Sequence, residues 1–191
     1  AFNDVEVLKI NAISGSGKTS TLLLLANENP VPSLYICFNK QNAVQAEKVF
    51  PSHTECRTVH SLAYSEFGKM LAHKITTRDR QYINRGRTAK EIVNLYDIKG
   101  YKVAQDEDIS PMTIAGIVKN TVGRFQNSAD DNIESYHIPK KLLSNLNSKY
   151  DGANMSVIKK DIVKYAKKLW KDKINPHSPV KTDHDTYQKL Y

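Results

Sequence analysis

The stretch Ala12-Ile13-Ser14-Gly15-Ser16-Gly17-Lys18-Thr19 decides how the rest of the chain is read. It follows the pattern G-x-x-x-x-G-K-[ST], with Ala12 in place of the first glycine. Gly15 and Gly17 let the backbone curl so that successive N–H groups turn toward an anion. Lys18 places an ammonium against the outer phosphates of a nucleotide, and the Thr19 hydroxyl suits Mg²⁺, which prefers oxygen ligands. The helix that follows adds its positive N-terminal end. Ala12, Ser14, Gly15, Ser16, Gly17, Lys18, Thr19 and Ser20 are therefore expected to bind phosphate, with Lys18 and Thr19 as the catalytic pair. The flanks agree with this reading. Val5 to Ile13 is an apolar, β-branched run of strand length, and Ser20 to Ala26 is a good helix start.

Working outward, Asn29-Pro30-Val31-Pro32-Ser33 breaks that helix. Leu34 to Phe38 reads as a second buried strand ending in Asn39-Lys40, followed by a helix over about 41–50. Residues 53–57 read as a short strand, and Thr58 as the N-cap of a helix carrying Val59, Leu62, Ala63 and Phe67 on one side. Strands alternating with helices predict a parallel α/β sheet, whose ligands bind beyond the carboxyl ends of the strands. From about residue 68 helix signals take over. Thr88-Ala89-Lys90-Glu91 forms a capping box, and Ser110-Pro111 places an N-cap before a proline at the first helical position. Further helices are predicted over 140–150 and 156–172, the latter with Lys159, Lys160, Lys164, Lys167, Lys168 and Lys171 between its apolar positions.

The 191 residues suffice for one or two domains with a real core. No apolar run is long enough to span a bilayer and no secretory leader is seen, so an intracellular protein, cytoplasmic or nuclear, with no membrane partner is expected. Cys37 and Cys56 lack metal or disulfide-framework spacing. The net charge of +8 is unevenly spread. Residues 1–68 hold 5 basic and 6 acidic side chains, and residues 103–139 hold 2 and 6. The excess sits in 69–102, with 9 and 3, and in 140–173, with 10 and 3. Such blocks suit a polyanion or a solvated lysine-rich surface.

Three segments together resemble superfamily 1 DNA helicases of the UvrD/Rep type. They are the Ala-led loop 12–19, Tyr35-Ile36-Cys37-Phe38-Asn39-Lys40, and Thr58-Val59-His60-Ser61-Leu62-Ala63. The run through Gln45 to Pro51 is most similar to the F-box DNA helicase branch and its phage and bacterial relatives. The stretch Thr182-Asp183-His184-Asp185 resembles the approach to that branch's next motor strand. The resemblance implies a RecA-like P-loop parallel sheet over 1–67, a mainly helical, basic inserted subdomain over 68–180, and a return toward the RecA-like domain over 181–191. It implies an ATP- and Mg²⁺-dependent helicase moving 3′ to 5′ on single-stranded DNA, in DNA repair and recombination. Its partners would be single-stranded and junction DNA and a second RecA-like domain of the same full-length chain. Phe38, Asn39, Lys40, Thr58, His60 and Tyr64 would line the DNA path, with Thr19 on the metal.

The same family carries an acidic Asp-Glu pair at a strand end. Here Asp106-Glu107-Asp108 and Asp130-Asp131 follow polar stretches and do not match it. The chain is therefore expected to be part of a longer helicase and, alone, to turn ATP over poorly or not at all. Two rivals remain open: another P-loop NTPase or kinase, and a nucleic-acid-binding module that does not hydrolyse nucleotide. His184 between Asp183 and Asp185 is a weak metal candidate, because consecutive side chains point apart. Tyr165 and Trp170 are expected in the core, and the lysines of 159–171 on duplex phosphates.

Overall fold

The computed structural model describes residues 7–75, 86–104, 107–150 and 153–191. The chain divides into two compact units, Ala1–Leu62 and Ala63–Tyr191.

In the first unit, α1 (Lys18–Glu28) leads to β1 (Ser33–Cys37), α2 (Lys40–Glu47) and β2 (Thr54–Thr58). β1 and β2 pair in parallel, from Ser33 opposite Thr54 to Cys37 opposite Thr58. The helix between them is the crossover that two parallel neighbours require. Asn39 caps α2, its Oδ1 accepting from the Asn42 N–H at 2.8 Å. Tyr35 and Phe50 stack at 4.6 Å, fastening the strand to the end of the α2 segment. His53 Nε2 lies 2.9 Å from the Ala26 carbonyl, tying α1 to the start of β2.

Two expectations are corrected here. The strand foreseen over 5–13 does not form over 7–13, the part described, and these residues are exposed. A strand exists only through ladder bonds to a neighbour, and the sheet described here consists of β1 and β2. β1 is also not buried on both faces. Ser33, Tyr35 and Cys37 are half-covered, whereas Leu34 and Ile36 face solvent.

The second unit is mainly helical. The α3 turn (Val59–Ala63) runs across the boundary into a π-helical segment, Tyr64–Gly68, and on into α4 (Lys69–Ile75). Then follow α5 (Ala89–Tyr96), β3 (Tyr101–Ala104), β4 (Glu107–Ile109) and α6 (Pro111–Gln126). A 3₁₀ turn (Ser135–His137), α7 (Lys140–Lys149), α8 (Met155–Ile174) and α9 (His184–Leu190) complete it. The capping box at Thr88 and Glu91 is made, and Ser110 accepts from the Thr113 N–H to start α6. The antiparallel β3–β4 pair was not legible in the sequence, because four- and three-residue strands carry too few alternations to register.

The core of this unit is the packing of α6 on α8, centred on Ile114, Val118, Val122, Phe125, Ile158, Ile162 and Leu169. Trp170 meets Phe125 edge-on at 5.2 Å, the core position foreseen for it. Residues 181–191, expected to lead back toward the first domain, pack within the second unit, where Tyr187 joins Ala63 and Leu71.

Two polar devices hold the helices. Lys74 is fully buried and donates to the carbonyls of Asp172, Lys173 and Asn175 at 2.7, 2.9 and 2.7 Å. It satisfies the C-terminal carbonyls of α8 that no helical N–H can reach. Burial pushes its ammonium down to about 8, against the pull of Asp172. Asp183 caps α9 through the Thr186 N–H and hydroxyl, accepts from Gln126 Nε2 of α6 at 2.8 Å, and pairs with Lys173 of α8. Burial would raise its carboxyl, but Lys173 and these donors hold it below the usual carboxylate range.

Replacing Lys74 by Met takes the donor from the Asp172 and Lys173 carbonyls, while Asn175 keeps the Ser178 N–H at 3.1 Å, and is expected to cost about 2–4 kcal/mol, measured by urea unfolding. Asp183 has a folded pKa below its unfolded one, so its contribution is complete above the ordinary carboxylate value and is lost as pH falls through the folded one. Melting between pH 7 and 3 should accordingly show a smaller loss of stability on acidification for Asp183→Asn than for the wild type.

Candidate functional site

The phosphate loop is built from residues that demand little of their surroundings. Gly15 and Gly17 sit at φ 78° and 82°, the left-handed region that side chains resist, and an added Cβ would meet nothing within 4 Å at either. The cost of substitution there is conformational, not steric. Ser16 closes the turn onto the Ile13 carbonyl through its N–H at 3.4 Å and its hydroxyl at 2.7 Å. Gly17 is the N-cap of α1 and offers no side chain to the first-turn N–H groups. The first-turn N–H groups are thus open to solvent or to an external anion. Lys18 Nζ folds onto the loop, donating to the Ala12 and Ile13 carbonyls at 3.1 and 2.6 Å. Thr19 and Ser20 are exposed beside it. These donors fit a nucleotide's phosphates, and the Thr19 hydroxyl fits Mg²⁺.

The parallel register brings the other two motifs to one edge. Cys37 lies opposite Thr58, so Phe38-Asn39-Lys40 and Val59-His60 leave the sheet at the same carboxyl end. Phe38 is 95% exposed. An aromatic ring so placed leaves both faces open to stacking. Lys40 and His60 are exposed on the first residues of α2 and α3. Asn39 and Thr58 play another part. Asn39 caps α2, and the buried Thr58 accepts the Ser61 N–H at 3.1 Å while Ser61 Oγ bonds back to the Thr58 N–H and carbonyl. Their side chains shape the exits of the two strands. Ser61 was not singled out in the sequence, although its spacing of three from Thr58 is that of a cap pair.

Tyr64 belongs to the second unit. Its ring lies against Gly68, where a Cβ would come within 2.3 Å of it, and meets Tyr187 edge-on at 5.6 Å. The glycine provides the space for that ring. Cys37 and Cys56 are free thiols, and burial, Glu47 and Cys37 push the Cys56 thiol above its usual range. No His, Cys, Asp or Glu cluster suited to a metal ion occurs among the described residues. His184 instead places Nδ1 2.6 Å from the Tyr187 hydroxyl.

With this geometry in place, comparison with known proteins is informative. The chain is 30% identical over an alignment of 198 positions, 99% of its length, to F-box DNA helicase protein 1 of Schizosaccharomyces pombe. It is related to DNA helicases. F-box DNA helicase 1 of Gallus gallus is 32% identical over 139 residues, 70% of the chain. The chain spans 21% and 12% of the lengths of these two relatives. No family model and no solved structure matches it. Among the described residues, no helix is long and apolar enough to cross a membrane.

Removing the Lys18 ammonium should weaken binding of a fluorescent ATP analogue with Mg²⁺ by roughly tenfold or more, the scale of a charge-assisted phosphate contact. Lys18→Ala in a fluorescence titration measures this, and unchanged affinity would mean that the loop does not hold the phosphates.

Proposed function

We propose that the chain is the ATP- and DNA-binding part of the first motor domain of an ATP-dependent DNA helicase of superfamily 1, UvrD-like in its motifs. The observation that carries this is the shared edge. One unit holds the phosphate loop and, at the carboxyl ends of two parallel strands in register, Phe38-Asn39-Lys40 and Thr58-Val59-His60. A nucleotide site and a sequence-blind strand site then belong to the same small body, the arrangement that coupling ATP to movement on DNA requires.

In this reading Ala12 to Ser20 bind the phosphates, Lys18 offsets charge on the outer ones, and Thr19 supplies a ligand to Mg²⁺. ATP, when bound, supplies the free energy of the cycle. Phe38 stacks on a base, and Lys40 and His60 hold the backbone, contacts that carry no base sequence. Asn39 and Thr58 act through the backbone turns they cap. Val7, Ile13 and Leu24 are each more than 60% exposed, apolar side chains of the kind that further chain covers. This supports a larger RecA-like P-loop domain and a second RecA-like domain in the full-length protein, which would work inside the cell on single-stranded and junction DNA. The 3′ to 5′ direction follows the helicases that the motifs resemble. The lysines of α8, exposed at 159, 160, 164, 167, 168 and 171, are placed for duplex phosphates.

The test is a titration of the same ATP analogue with and without oligo-dT, together with Phe38→Ala. Coupling predicts that the oligonucleotide shifts nucleotide affinity. Loss of the ring predicts a fall in oligo-dT affinity of roughly five- to a hundredfold, the range of base–aromatic stacking. Nucleotide binding that ignores DNA, with Phe38→Ala silent, would favour a small P-loop NTPase or kinase.

A further inference from the structure

The second unit holds a cavity that the sequence motifs do not mark. It is an open hollow of about 670 Å³ between the outer face of α6 and the loop at 127–137, lined by Lys119, Asn120, Arg124, Asn127, Tyr136 and His137 among others. Residues 103–139 form the most acidic block of the chain, with 2 basic and 6 acidic side chains. Both of those basic residues, Lys119 and Arg124, line this cavity. Among the described residues neither is engaged in an ion pair.

The floor is rigid and its chemistry is spent. His137 is 3% exposed. The Glu134 N–H meets its Nδ1 at 2.9 Å, which makes Nδ1 the acceptor and leaves the ring proton on Nε2, 2.9 Å from Asp130 Oδ2. Ser128 Oγ gives its proton to the Phe125 carbonyl at 2.9 Å and also lies on the Nε2 side of the ring, at 3.2 Å. A serine and a carboxylate on the same ring nitrogen cannot form a nucleophile relay, which needs one on each nitrogen. The group is structural. It occupies the one carboxylate of the lining, Asp130, and it supports Tyr136, whose ring lies on His137 at 4.5 Å while remaining 56% exposed. Lys189 clamps the loop from beneath through the Ser128 and Asp130 carbonyls at 2.7 and 2.5 Å. On the wall, Asn120 and Asn127 each donate one amide N–H to the Gly116 and Gly123 carbonyls of α6, at 2.8 Å each, which orients the amides and leaves their oxygens to accept.

Two cations, amide acceptors and an exposed ring backed by a buried one match the parts of a nucleotide within a strand. We propose that this cavity is a second DNA contact, seating one nucleotide of single-stranded DNA with its phosphate between Lys119 and Arg124 and its base against Tyr136. The unstacked strand is favoured over duplex because a ring can reach a base face only where the base is not already stacked. The assignment rests on the DNA-binding reading above.

The experiment is a salt series of fluorescence anisotropy titrations of this chain with oligo-dT and with a hairpin duplex. The variants are Lys119→Ala/Arg124→Ala, Tyr136→Ala, Phe38→Ala, and Lys140→Ala/Lys141→Ala as a charge-matched pair outside the cavity. The cavity pair should weaken oligo-dT binding roughly tenfold and flatten log K against log salt by about 0.7, the share of one phosphate on a single strand. Tyr136→Ala should cost roughly fivefold or more on oligo-dT and little on the duplex. Equal losses from the cavity pair and the Lys140/Lys141 pair would show a net-charge effect and overturn the site. Larger losses on duplex than on oligo-dT would overturn the single-strand assignment. If Phe38→Ala weakens binding while the cavity variants do not, the cavity proposal fails and the motor-domain reading stands. If the wild type binds no DNA, both fail. Unchanged circular dichroism melts exclude unfolding as the cause of any loss.

Discussion

The last carbonyls of a helix must find donors, and the second unit depends on how that need is met. Lys74 lies 98 residues before Asp172, yet its ammonium closes the end of α8. No helical N–H can reach the Asp172 and Lys173 carbonyls, and water would have to enter the core to do so. The long lysine stem carries the charge through apolar surroundings to three oxygens at once. That placement fixes α4 against the end of α8. One turn away, Lys173 and Asp183 add α9 and, through Gln126, α6. Four helices, α4, α6, α8 and α9, thus share a single polar junction, and the apolar packing of α6 on α8 is held in register by it.

The first unit obeys a different logic. Its elements are short, its strands number two among the described residues, and much of its apolar surface is uncovered. Its binding features need little packing. The glycine turn is held by Ser16 and Lys18 on nearby carbonyls, and the strand exits by the caps at Asn39 and Thr58. Local hydrogen bonds therefore shape the 12–19 loop and the two exits, while long-range packing shapes the helices of the second unit. The same division separates the two proposed DNA contacts. Phe38 stands on a locally determined turn, whereas Lys119, Arg124 and Tyr136 meet only because the 127–137 loop folds back on α6.

Much of this was legible in the chain itself. The phosphate loop, α1, β1, α2, β2, the capping box of α5, the proline start of α6 and the lysine-rich α8 are all local patterns, written in neighbouring residues. The positions of Phe38, Lys40 and His60 at element boundaries were legible for the same reason, because turn and cap residues mark those boundaries. Other readings depended on what a residue meets. The run before the loop has the composition of a strand, but Val7 to Ile13 find no partner in the described sheet and stay extended and exposed. Thr58 reads both as a helix cap and as part of the DNA path, and Asn39 as part of that path; in the structure both side chains cap helices. Tyr64 looked like part of the DNA path and packs on Gly68 and Tyr187.

Sequence by itself thus determined the local elements and the glycine turn of the 12–19 loop, because helix caps, glycine turns and periodic apolar faces act over a few residues. Tertiary structure alone decided the buried Lys74, the His137–Asp130 floor and the basic cavity above it. Those arrangements join groups 98 residues apart in the first case and an isolated pair of cations to a distant ring in the last. No local pattern encodes such meetings. They exist because burying a charge or a polar side chain is tolerable only where the fold supplies its partners.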